Sequence, residues 1–253
     1  MGKILKWFFY ICIAFVIWVF VSDRGTVSLK VLEPRQARYR ELSRRIERDG
    51  VFQSAVTELD EALVLPVDLT VEFDQCGEAN AFYEPQRVTI RMCYELVEQQ
   101  AWGSNRRYAS DSVASAATYQ AALFVFYHEV AHALIHIFAL PITGREEDAA
   151  DQLAAWVLLE AGSDGRDAAL QGALWFSDRS RFLRNGGALW DDHSLNQQRY
   201  FNLLCWVYGS DPQVHAPLLT RSWGLPRERA ANCEFEYDRL RRAWNELLAG
   251  RII

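Results

Sequence analysis

Histidine is scarce in this chain, with five among 253 residues, and methionine and proline are scarce too, at two and seven. None of the five cysteines forms a C-x-x-C pair, so thiolate zinc sites of that type are absent. No cluster of lysine and arginine stands out and the net charge is -6, which argues against a nucleic-acid surface and says mostly solubility. Half of the residues are hydrophobic, enough for one core in a chain of this length and too few for two large ones.

Against that scarcity, His128, Glu129 and His132 spell H-E-x-x-H inside Ala121 to Phe138, a Pro-free and Gly-free apolar stretch predicted to be one helix. Residues four apart share a helix face, so both imidazoles can reach one metal while Glu129 projects beside them. Two neutral imidazoles and a carboxylate suit Zn2+ and leave a fourth position for water. His136 extends the stripe but lies about 12 Å along the axis from His128, too far for bonds of about 2.1 Å, and reads as a packed or outer histidine. The longer H-E-x-x-H-x-x-G-x-x-H pattern fails, with Ile135 and Phe138 at the decisive positions.

The third ligand is sought in the next element. Pro141 and Gly144 punctuate a turn, and Glu146 to Glu160 is predicted to be a helix that ends before Gly162. Its start, E-D-A-A-D from Glu147 to Asp151, places two carboxylates one turn apart. Glu147 is the expected ligand and Asp151 the expected acceptor of an outer ring N-H, with Asp151 also the reserve ligand. Glu146 and Asp148 are explained as the acidic first turn that a helix dipole favours. A helix running on to Leu140 would end about 12 Å beyond His132, so the loop must fold back or the helix must end early.

F-Y-H-E-V-A-H-A-L-I, G-R-E-E-D-A-A-D-Q-L-A and D-H-S-L-N-Q-Q-R-Y-F-N-L-L-C together resemble a bacterial metallopeptidase-like family classed as a domain of unknown function. C-G-E-A-N-A-F-Y-E-P at Cys76 to Pro85 and C-Y-E-L at Cys93 to Leu96 fit it as well, and the resemblance covers Leu65 to Leu248. It implies a gluzincin-type zinc-peptidase fold and ligand set, and no particular substrate.

Met1 to Lys6 is basic and Trp7 to Ser22 is uncharged, as in a secretory signal. Because no A-x-A-like site follows, an uncleaved signal anchor over 1–24 is expected, although the run is short for a span of about twenty residues. The basic start favours the inside, leaving the remainder periplasmic or extracellular. Cys76, Cys93, Cys205 and Cys233 then form an even set in an oxidising compartment. Of three possible pairings, Cys76 with Cys93 and Cys205 with Cys233 each bracket one local unit that a bond could staple.

Residues 25–64, rich in Arg and Glu and broken at Gly50, are expected to be a helical membrane-proximal spacer, and 65–253 the metallopeptidase-like domain. Val67 to Phe73 and Arg87 to Met92 alternate as strands do, and Asn80 to Pro85 is either a short edge strand able to pair with a peptide or part of a plain hairpin. Ser194 with Gln197 forms a capping box for a helix from Leu195 to Tyr208. His193, just before it, is a candidate donor to an oxyanion, with Tyr83, Arg199 and Tyr200 as weaker ones. In a last amphipathic helix, Glu234 to Leu248, Phe235, Tyr237 and Trp244 are assigned to the core. The fold class is α+β, mostly helical with a short antiparallel or mixed sheet. The function expected is Zn2+-dependent hydrolysis of a peptide or protein substrate with Glu129 as base, the alternative being a zinc-stabilised binding module or pseudo-peptidase.

Overall fold

A computed structural model describes residues 24–182 and 192–253. The apolar run expected to anchor the chain lies outside the described residues. Among those described, no helix is long and apolar enough to cross a membrane.

A four-stranded mixed sheet is covered on one face by helices. Its strands are β1 (Val27–Val31), β2 (Leu69–Asp74), β3 (Ala81–Glu84) and β4 (Thr89–Cys93), in the order β1-β2-β4-β3. β1, β2 and β4 run parallel, and β3 pairs antiparallel with β4 at one edge. Alternation puts Val71, Phe73, Ile90 and Met92 into the core, while Lys30, Glu72 and Arg91 make ion pairs on the other face. Both inner strands and β3 fall within two residues of the predicted bounds.

Residues 25–64, expected to be a helical spacer, share buried core contacts with the later elements. They supply β1 and two helices, α1 (Arg40–Asp49) and α2 (Val51–Ala62), hinged at Gly50 with a left-handed φ of 68°. Tyr39, Ile46, Phe52 and Val56 are buried in the same hydrophobic core as the later strands and helices. The charges that suggested a solvated helix occupy its outer face only, and β1 is legible only beside a partner some forty residues away.

The helical layer continues with α3 (Tyr94–Arg107), α4 (Asp111–Ile137), α5 (Glu146–Glu160), α6 (Ser163–Phe182), α7 (Asn196–Ser210), the short α8 (Arg227–Ala230) and α9 (Cys233–Leu247). The motif helix α4 starts ten residues before the predicted bound, because Ala114, Ala117 and Thr118 extend its buried side. Gly172 lets α6 approach α4 closely: a Cβ there would lie 2.5 Å from the Phe124 ring. The predicted Ser194–Gln197 box is replaced. Gln198 accepts from the Leu195 N-H, while the Ser194 hydroxyl donates to Asp148 at 2.6 Å and ties the start of α7 to α5. Phe235, assigned to the core, is exposed on α9, whereas Tyr237 and Trp244 are buried.

Disulfides join Cys76 to Cys93 and Cys205 to Cys233. The first ties the ends of β2 and β4 together just before β3; the second joins α7 to α9. Such bonds point to an oxidising, extracytoplasmic compartment.

Candidate metal centre

The turn after α4 settles the question of reach. Leu140 N-H donates back to the Ile135 carbonyl at 2.9 Å and Ala139 adopts a left-handed φ of 46°, so the chain reverses almost at once. α5 then begins at Glu146, with its first turn beside His132.

Two ring nitrogens and the two oxygens of one carboxylate converge there. His128 Nε2 lies 3.2 Å from His132 Nε2 and 3.1 Å from Glu147 Oε2, and His132 Nε2 lies 3.5 Å from Glu147 Oε1. On the outer side of each ring, Nδ1 meets a carboxylate: His128 to Asp151 at 2.9 Å and His132 to Glu146 at 2.7 Å. A carboxylate only accepts, so a neutral imidazole that gives its proton from Nδ1 to the outer carboxylate turns a bare Nε2 inward. Two lone pairs and a carboxylate would face one another without a positive charge between them. Tetrahedral bonds of about 2.0–2.2 Å give donor–donor edges of about 3.3–3.6 Å, close to the separations of 3.1, 3.2 and 3.5 Å observed. The residues present therefore fit a metal ion.

Electrostatics follow from that crowding. Burial pushes the His128 imidazole down, but hydrogen bonds to Asp151 and Glu147 outweigh it and raise its pKa to about 9 when a proton takes the cation's place. Burial would raise Glu147, yet hydrogen bonds from His128, His132 and His193 hold it well below the usual carboxylate range. Asp151 is likewise held low against burial by the Arg199 charge and hydrogen bonds. Burial raises Glu129, outweighing the opposing pull of the neighbouring histidine charges.

A family model described as "Putative metallopeptidase" matches residues 32–248. The chain belongs to that family. The match begins inside the segment expected to be a spacer, in keeping with the shared core. No curated protein and no solved structure matches the chain. A peptidase family implies protein substrates, and a cleft opens beside the three candidate ligands. It encloses about 900 Å³ and is lined by β3 from Ala81 to Tyr83, by His128, Glu129, His132 and Glu147, and by Trp175 and Phe176 on α6.

Around this family member's centre, the other candidates separate. His193 Nε2 reaches Glu147 Oε2 at 2.8 Å, and its ring lies 6.1 Å from that of His128. Arg199 sits behind the centre, binding Asp151 through Nε and one terminal nitrogen, each at 2.7 Å, with its guanidinium 3.8 Å above the Phe176 ring. The Tyr200 hydroxyl donates to the Trp223 carbonyl. Tyr83 and His136 bond each other at 2.9 Å, linking β3 to α4; His136 is exposed, with its ring 5.6 Å from that of Tyr83. Sequence reasoning missed Glu146 as the partner of His132, having explained it by the helix dipole alone. Nor did it find the Arg199 clamp, whose sequence separation of 48 from Asp151 leaves no local signal. Cys76, Cys93 and Glu95 also cluster, but both sulfurs are spent in the disulfide.

Proposed function

We propose that the chain is a zinc-dependent peptidase of the gluzincin type, with the metal held by His128, His132 and Glu147. The observation that carries this reading is the convergence of the His128 and His132 Nε2 atoms with the Glu147 carboxylate, and Glu129 beside them on the same cleft wall. Zinc would supply Lewis acidity, polarising a carbonyl and acidifying water. Glu129 is the general base: its buried, upshifted carboxyl takes a proton from the attacking water and returns it to the leaving amine. Asp151 fixes the His128 tautomer, and Arg199 holds Asp151 in place. His193 is half exposed at the cleft and supplies an N-H toward the developing oxyanion once it turns from Glu147. The outer edge of β3 offers backbone groups for an extended peptide to pair with.

A second reading is a zinc-stabilised binding module. The approach of His193 to Glu147 favours it, because a fourth protein donor would close the position that water needs. The deciding experiment is digestion of a mixed peptide library by the wild-type chain and by Glu129→Gln at matched zinc content. The expected outcome is retained zinc with cleavage reduced at least about a hundredfold, since a general base contributes about 10²- to 10⁴-fold. Equal cleavage by both removes Glu129 from the mechanism; cleavage by neither favours the binding module.

A further inference from the structure

Exposed apolar side chains are ordinary when scattered, and a contiguous group marks a contact surface. Of the eight large hydrophobic residues exposed among the described residues, four gather around one point: Val64 (44%), Val67 (44%), Ile252 (39%) and Ile253 (79%). The point is Gly25. Gly25 N-H donates to the Leu65 carbonyl at 2.8 Å, and a Cβ on Gly25 would lie 2.2 Å from the Val67 backbone. Val64 N-H donates to Arg251 and Ile253 N-H to Ala62, so the last residues lie along the same segment.

Only Asp23 and Arg24 separate Gly25 from Ser22, where the uncharged run beginning at Trp7 ends. Even fully extended, three residue steps reach about 11 Å, so whatever takes up the run lies beside this patch. A run without charge on any side requires an apolar surround on every side, which a one-sided patch of four residues cannot give. A lipid bilayer can.

We propose that the face around Gly25, made by Val64, Val67, Ile252 and Ile253, is a bilayer-docking surface that seats the domain on the membrane receiving residues 7–22. Arg24 and Arg251 flank it, and Arg251 also stacks on Phe138, just past the end of α4, at 5.2 Å. His132 lies five residues before the end of α4, about 7.5 Å along its axis. Docking therefore places the metal centre in the membrane-proximal part of the molecule. If the peptidase reading holds, its substrates are chain segments close to the bilayer surface.

The test reads position and needs no activity, so it stands apart from the peptidase reading. The full chain carrying Cys12→Ser receives one cysteine at a time, by Val67→Cys, Ile253→Cys or Phe235→Cys, each labelled with a polarity-sensitive fluorophore. Phe235 is the control, exposed near the other end of α9, about 18 Å along that helix from Leu247. The proteins are reconstituted in phosphatidylcholine–phosphatidylglycerol vesicles containing shallow nitroxide-labelled lipids. Quenching several-fold stronger at 67 and 253 than at 235 is expected. Equal quenching at all three overturns the proposal, as does a label at 67 that is apolar without vesicles and unquenched with them, because the run would then cover the patch itself. Val67→Asp with Ile253→Asp, read by a label at Val64→Cys, separates docking from tethering. The double variant should still sediment with vesicles and lose the quenching; unchanged quenching overturns docking.

Discussion

His128 is backed by Asp151, whose side chain is 4% exposed and gripped by Arg199, whereas His132 is backed by Glu146, whose side chain is 51% exposed. Both contacts serve the same purpose on paper, fixing a tautomer and aiming Nε2 inward. Their energetics differ because water can replace Glu146 and cannot reach Asp151. A buried carboxylate is tolerable only with its partner present, so the inner side of the centre is rigid at the cost of depending on every member. The outer side borders the cleft, where His193 and a substrate must move. The comparison teaches that the centre is anchored on the α4–α5–α7 side and left adjustable on the β3 side.

Glu147 belongs to both sides, reaching each histidine, and its removal should have the largest effect. Glu147→Ala is expected to lose zinc under conditions in which the wild-type chain holds about one equivalent, with His132→Ala behaving alike. Metal analysis after dialysis checks it. If Asp151→Ala strips the metal and Glu147→Ala does not, the ligand assignment is exchanged.

The inner side should come next. Asp151→Asn is expected to weaken zinc binding by about ten- to a hundredfold. Arg199→Met should do similar damage and also destabilise the fold by about 3–5 kcal/mol, because it leaves the buried Asp151 carboxylate with the His128 hydrogen bond but without its guanidinium counter-charge. Arg199→Lys keeps the charge and loses the two-point grip, so it should recover stability more than affinity. Equal recovery of both would show that charge alone, and not geometry, is what Asp151 requires. Chelator competition and thermal melts read the two quantities separately.

How much of this was legible beforehand follows from distance along the chain. His128, Glu129 and His132 lie within two turns of one helix, so periodicity alone places them on a common face. Glu147 and Asp151 needed a second helix whose start was marked by Pro141 and Gly144, and its predicted bounds match those observed. The loop reversal at Ala139 was not legible, because a left-handed alanine gives no warning in composition. Arg199, β1 and the Trp175–Phe176 wall owe their places to tertiary packing between remote segments. Glu146 was visible yet misassigned, since one acidic side chain can satisfy a helix dipole and a histidine at once.

Acidity offers a third way to sharpen the contrast. In the zinc-free protein His128, raised to about 9, stabilises the fold while protonated; that contribution is complete below its unfolded value and is lost as pH rises through about 9. Zinc competes with the same proton, so the stabilisation that zinc adds should grow between pH 6 and pH 8, while the His128 contribution to the zinc-free protein declines above its unfolded value. Paired melts with zinc and with chelator measure the difference directly. A zinc-induced shift in Tm that shrinks over that range would contradict the proton's placement at the centre.

The smallest effect is expected on the outer side. Glu146→Gln keeps an acceptor oxygen for the His132 Nδ1-H and removes only a half-exposed charge, whose influence solvent already screens. Zinc affinity should fall by no more than a few-fold, well short of the loss in Asp151→Asn. Glu146→Ala removes the acceptor altogether, but water can take its place at an exposed nitrogen, so the loss should still be smaller than at Asp151. Chelator competition on all three variants under one buffer and temperature decides it. If Glu146→Ala costs as much as Asp151→Asn, burial is not what separates the two histidines, and the outer side is as tightly specified as the inner one.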